Sequence, residues 1–252
     1  MLRFIVKRVG LSLLTLVIVS VIIFLMTSIL PGDIAKQTLG RDATVEAFEI
    51  WNKEKGFDKP LVVQYGRWMG GVLTGDLGTS LQYEQPVGEI LGPAAGKSAQ
   101  LAIVALILIA PISILGGIAA AMNRGKKVDR VLTVGGLSAA VIPEFVWAVV
   151  LILVFGVAIR AFPVSAFPDE ENPNFISSIY HLILPSIALL FVLFGYISRI
   201  TRAGVIEALD SDYMRTAVLK GLSRKTAVFK HVLRNALLPT IAVIATQVPY
   251  LA

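Results

Sequence analysis

Few residues in this chain have the types and spacing that chemistry requires. Residues 91–98 read LGPAAGKS and look like a phosphate loop, yet that motif needs G-x-x-x-x-G-K-[ST], with four residues between its glycines. Here three residues separate Gly92 from Gly96, and Leu91 stands where the first glycine belongs. No strand pattern precedes the stretch, so nucleotide binding is not expected, and Lys97 with Ser98 reads as the interfacial start of a membrane span. The chain has no Cys, which removes disulfides, thiolate nucleophiles and thiolate metal sites. His181 and His231 are the only histidines, too few for a His-rich metal centre. Ser113, Ser138 and Glu144 lie in apolar stretches, but no Ser-His or H-E-x-x-H arrangement accompanies them. The sequence therefore predicts no catalytic residue, no metal and no cofactor.

Two features stand out instead. Glu144 follows Pro143 near the middle of an apolar run, in SAAVIPEFVW. A carboxylate at bilayer depth costs about 2.5–3.5 kcal/mol on insertion scales, so it faces protein or water. Pro143 frees the carbonyl four residues back, and such breaks are tolerated where polar groups line a cavity. Two readings stay open: a pathway-lining contact for a charged substrate, or a structural acid hydrogen-bonded to a neighbouring helix.

The second feature is residues 213–239, YMRTAVLKGLSRKTAVFKHVLRNALLP, with six Lys and Arg, His231 and no acid. Asp212 is expected to cap a first helix whose apolar positions are Met214, Ala217, Val218 and Leu222. Gly221 suits the left-handed position that ends it, and Ser223 can cap a second helix with Val228, Val232 and Leu233 along one face. An amphipathic segment resting on anionic lipid would have the same composition. The helix, Gly turn and helix instead make a compact knob that a soluble partner could grip.

The elements that must hold these residues are membrane spans. Hydrophobic residues make up 56% of the 252 residues and charged residues only 16%, far from the balance of a soluble domain. Uncharged or nearly uncharged runs cover 9–30, 98–122, 131–159 and 179–198, and a fifth begins at 236 and reaches 252. A crossing helix needs about 20 residues, so four spans are expected to be whole and the fifth cut short. The first run is read as an uncleaved span, because its flank LPGD is no A-x-A cleavage site and further spans follow.

Charge then orients the chain. Arg3, Lys7 and Arg8, the short loop NRGKKVDR, and residues 199–235 share one side and carry 15 of the 23 basic residues. The other side carries twelve of the seventeen acids, including Asp169, Glu170 and Glu171. The positive-inside rule makes the basic side cytoplasmic, with the N-terminus inside and residues 31–97 and 160–178 outside. The net charge of +6 thus orients the chain and calls for no nucleic acid. Within the outer loop, Val45, Phe48 and Trp51 share a helical face stopped by Gly56. Leu61, Tyr65, Trp68, Met69 and Leu73 define a second helix. Both are expected at the outer interface, as a lid on the spans or a docking surface.

Residues Arg215, Thr216 and Ala217, followed by three residues and Gly221, resemble the cytoplasmic coupling loop of ABC importer permeases, whose pattern is Glu-Ala-Ala, three residues, Gly. Ala217 and Gly221 match, while Arg215 and Thr216 depart from it. The later Ile-x-Leu-Pro is displaced, with His231 at its expected start and Leu-Pro only at Leu238 and Pro239. RTA-x-x-KGLS and NALLP are similar to the dipeptide, oligopeptide and nickel branch. The N-terminal RFIVKRVGLSLLTLVIVSVIIFLMTSILPGD, then GFDKPLVVQYGRWMGGVLTGDLGTSL, RGKKVDR, IPEF and HLILPSIAL resemble its B-type permease in order.

The resemblance implies an all-α, polytopic transmembrane bundle of the type I importer fold, a single permease domain over residues 1–252, with its C-terminal spans expected to be missing from a set of six. It implies a non-enzymatic permease subunit in a bacterial or archaeal cytoplasmic membrane, carrying di- or oligopeptides. It further implies a second homologous permease, two cytoplasmic ATPase subunits that hydrolyse the ATP, and an extracytoplasmic binding protein. Arg215, Ala217, Lys220, Gly221 and Leu222 are expected to face the ATPase. The alternative is a proton-coupled secondary transporter with Glu144 as the carrier.

Overall fold

The computed structural model describes residues 2–29, 44–80, 82–168, 174–221, 223–228 and 233–251. Among them every regular element is helical, and two compact units divide at residues 94 and 95.

In the first unit, α1 (Leu2–Ile29) is a 28-residue apolar helix whose large side chains are mostly exposed. Its few hydroxyls turn back on the helix: Ser12 donates to the Arg8 carbonyl and Thr15 to that of Leu11, both at 2.9 Å. Such bonds satisfy polar groups that a hydrocarbon environment would leave unpaired. Helix α2 (Val45–Lys55) starts at Thr44, whose hydroxyl accepts the Ala47 N–H, and stops at Gly56 with φ 75°. Helix α3 (Leu61–Thr74) packs on α1. Phe24 meets Tyr65 and Trp68 at centroid distances of 5.4 and 6.3 Å, and the Tyr65 hydroxyl lies 2.9 Å from Ser20 Oγ. These contacts are those of a lid against the first span.

The second unit holds the long helices. Helix α4 (Val87–Met122) begins in the first unit and runs 36 residues. Helix α5 (Lys127–Val141) and α6 (Glu144–Leu151, continuing as a π-helical stretch Ile152–Ala158) follow. Helix α7 (Phe175–Leu209) then runs 35 residues from Asn174, whose side chain accepts the Ser177 N–H. By length and composition α1, α4 and α7 can each cross a membrane, as can α5 and α6 taken together.

The run 131–159, expected as one span, is bent by 99° between α5 and α6. Pro143 cannot donate to Ala139, and the residue before a proline is pushed out of the helical region. Ile142 accordingly sits at φ −81°, ψ 126°. The freed Ala139 carbonyl does not go unpaired, because the Trp147 indole N–H donates to it at 3.0 Å. One residue beyond the break thus pays for it.

Small residues let the long helices approach. A Cβ on Gly195 of α7 would stand 2.3 Å from the Gly136 carbonyl oxygen of α5, and Phe194 lies against both Gly116 and Gly136. Close backbone contact of this kind drives helix association where lipid leaves little hydrophobic gain.

Candidate functional site

The basic segment folds onto the C-terminal end of α7, its first helix shifted by one residue and its second described only over Arg224–Ala227, short of the Val228 and Leu233 expected on its face. Helix α8 spans Asp212–Leu219, so Asp212 is its first residue where the sequence suggested a cap. Ser211 precedes it and its carbonyl accepts the Arg215 N–H at 3.3 Å. The chain turns at Gly221 with φ 81°, a conformation a Cβ would strain. Ser223 then caps α9 (Arg224–Ala227), its hydroxyl accepting the Thr226 N–H at 3.2 Å and its carbonyl the Ala227 N–H at 2.9 Å. Two further helices follow, α10 (Leu233–Ala236) and α11 (Leu238–Leu251).

What roots the knob is an apolar cluster. Met214, Ala217, Ala227 and Val228 are buried with Ala121 of α4, Val205 and Ala208 of α7, and Ala236 of α10. Ala217 therefore points inward and anchors the knob, while Arg215, Lys220 and Gly221 are exposed. Leu222 and Val232 lie outside the described residues, as does the side chain of Val218. Leu219, which the sequence reading passed over, is 87% exposed beside Lys220. Only its place opposite Met214 on an amphipathic helix could have flagged it.

An ion pair fixes the neighbouring loop to α7. Arg202 grips Asp129 through Nε at 2.6 Å and Nη2 at 2.7 Å, and the same carboxylate accepts the Gly125 N–H at 2.9 Å and the Thr133 hydroxyl at 3.3 Å. Asp129 lies ahead of the apolar run, and the Arg202 guanidinium holds its carboxyl well below the usual carboxylate range. Bidentate Arg–carboxylate pairing adds geometric as well as electrostatic definition. The signal available in sequence was Asp129 as the lone acid of NRGKKVDR. Its partner lies 73 positions away and carries no local mark.

Between this loop and α8 lies a groove of about 820 Å³. Met122, Ile206, Leu209, Met214 and Leu219 give it an apolar lining, and Arg124, Lys126, Asp210 and Arg215 add charge. Arg124 reaches Asp210 at 3.3 Å, and Arg215 reaches Asp212 at 3.5 Å, both on the exposed surface. Exposed pairs of this kind add little stability and leave their cations available to a partner.

Glu144 opens α6 and is exposed, and the Tyr250 hydroxyl of α11 donates to its carboxylate. Residues 91–98 lie inside the unbroken helix α4. They form no loop whose N–H groups could cradle a phosphate.

The fold and the knob define a membrane-embedded permease, and comparison with known proteins agrees. The chain belongs to the family described as binding-protein-dependent transport system inner membrane component, which matches residues 112–252, and the N-terminal region described for the same membrane components matches residues 1–110. It is 34% identical to the dipeptide transport system permease protein DppB of Escherichia coli (strain K12), across 98% of this chain and 80% of that protein. It is 32% identical to the di/tripeptide transport system permease protein DppB of Pseudomonas aeruginosa (strain UCBPP-PA14), with the same coverage. The chain is thus an inner-membrane permease component of binding-protein-dependent transport, and that family does not support a proton-coupled carrier.

Proposed function

We propose that this chain is one permease subunit of an ATP-driven peptide importer, pairing with a homologous second permease, two cytoplasmic ATPase subunits and an extracytoplasmic binding protein. The peptide cargo is suggested by the relatives, which are dipeptide and di/tripeptide permeases. The observation that carries the reading is the knob at residues 212–228: buried on α7 through Met214, Ala217, Ala227 and Val228, it holds Arg215, Leu219 and Lys220 outward. A soluble ATPase that gripped it would move α7 with it, since the anchor is packed side chains. Arg215 and Lys220 offer charge to acids on that partner, Leu219 an apolar contact, and Gly221 the turn; Leu222 completes the expected contact set. The spans 9–30, 98–122, 131–159 and 179–198 cross the membrane, 236–252 enters it, and the N-terminus and the knob are cytoplasmic.

The test is uptake of a labelled dipeptide by the reconstituted assembly. ATP-dependent uptake that survives a protonophore is expected; uptake driven by a proton gradient without ATPase subunits would return the carrier reading. Gly221→Val should leave the chain in the membrane but lower ATPase co-purification and uptake at least tenfold. Gly221→Asn, which tolerates positive φ, should retain most of both. Normal transport by the Val variant would remove the knob from the mechanism.

A further inference from the structure

The charge at Glu144 has an acceptor role that the coupling knob does not use. Its carboxylate begins α6 just past the Pro143 break, and it is held by the phenol of Tyr250, 106 positions away on α11. Both ends of the contact lie deep. Glu144 follows α5, whose 15 residues span roughly 22 Å, and Tyr250 is twelve residues beyond Leu238, roughly 18 Å along its own helix. A hydrocarbon core is about 30 Å thick, so neither residue belongs at an interface.

The pair is nonetheless open. Glu144 is exposed and Tyr250 is 47% exposed. Thr246, one turn before Tyr250, is exposed as well, and Gln247 donates to its hydroxyl at 3.4 Å. The adjoining face of α11 is occupied, with Leu251 buried and Ile244 packed against the cluster of Ile109, Leu193 and Ile197. A face at this depth carrying a carboxylate, a phenol and a Thr–Gln pair is not one that faces lipid, because ionisable side chains at membrane depth face a protein or a water-filled cavity.

We propose that Glu144, oriented by Tyr250, lines the translocation pathway and takes the N-terminal ammonium of the passing peptide. This rests on the reading of the chain as a peptide permease. The carboxylate stands at the positive end of a helix dipole, and a single phenol donor leaves its other lone pairs free for a cation. The groups that share the site are neutral donors and acceptors, so a peptide ammonium meets no competing cation from this chain among the described residues.

The experiment uses the full assembly in proteoliposomes. ATP-dependent dipeptide uptake by the unmodified assembly tests the peptide-importer reading by itself. Against that reference, Glu144→Gln should co-purify with the second permease and the ATPases as before, yet import a free-amino dipeptide at least tenfold more slowly. The uptake ratio of that dipeptide to its N-acetylated form should fall toward one. Tyr250→Phe should lose about threefold, and it stands in if Glu144→Gln fails to assemble for reasons of folding. Unchanged uptake, or loss of only the second permease from a Glu144→Gln chain that still folds and reaches the membrane, overturns the proposal, the latter by making Glu144 an interface residue. A transport-free readout uses the absence of cysteine: in a cysteine-free assembly, Thr246→Cys should react with a cationic water-soluble thiol reagent. Adding Glu144→Gln should slow that reaction at least threefold while leaving a neutral reagent unaffected. No labelling, or equal slowing of both reagents, also overturns it.

Discussion

Arg202 and Asp129 show how much of the packing at the C-terminal end of α7 depends on one fork of hydrogen bonds. The guanidinium makes two bonds within 2.7 Å to a carboxylate that is almost wholly buried, and the carboxylate in turn holds the turn at Gly125. Arg202→Lys keeps the charge but loses the fork, and Arg202→Ala leaves Asp129 buried without its main partner. Removing a partner from a charged, part-buried hydrogen bond costs roughly 1.5–3 kcal/mol, so Arg202→Ala should lower the unfolding midpoint in detergent clearly, with Arg202→Lys in between. Equal midpoints for all three chains would make the pair ornamental. At this scale sequence was a partial guide. Gly221 and Ser223 announced their conformations because a left-handed turn and a helix cap are local preferences. The partners of Asp129 and Glu144 lie 73 and 106 positions away, and such pairings exist only once the helices are packed.

Between elements, the crossing of α5 and α7 is the most constrained contact. Gly195 has the Gly136 backbone where its own Cβ would be, so the two helices cannot hold their spacing if either glycine gains a side chain. Overpacking at such a contact costs roughly 1–3 kcal/mol. Gly195→Ala is therefore expected to reduce folded yield and thermal stability in detergent, while Gly10→Ala in α1, with nothing near, should leave both unchanged. The end of α2 was legible, because Gly56 adopts positive φ just where the apolar spacing stops; α3 ends the same way at Gly75, a stop the sequence reading did not name. The break at Pro143 was legible too, since it follows from a missing N–H. Its 99° angle was not, because tertiary packing sets the direction in which a freed helix departs. The first residue of α8 was missed by one position, since Ser211 and Asp212 are both good cap residues and only the fold chooses between them.

For the molecule as a whole, the sequence showed the class and the helical content, because each is a sum over many positions. The orientation carries a direct check. Lys220→Cys, in a chain with no other cysteine, should react with a membrane-impermeant thiol reagent in inverted vesicles and resist it in intact cells. Reaction from the outside alone would turn the whole arrangement over. The lining of the pathway was least legible, since it is made where helices far apart in sequence meet.

The right-angled corner after α5 has a mechanical corollary. Two rigid arms joined at 99° form a bell-crank: travel along one arm emerges as sideways travel of the other. The first arm is pinned near its start by Asp129 to α7 and fulcrumed at Gly136, and the second arm begins with Glu144. Any axial shift of the first arm would therefore emerge as a lateral shift of the second, where Glu144 sits.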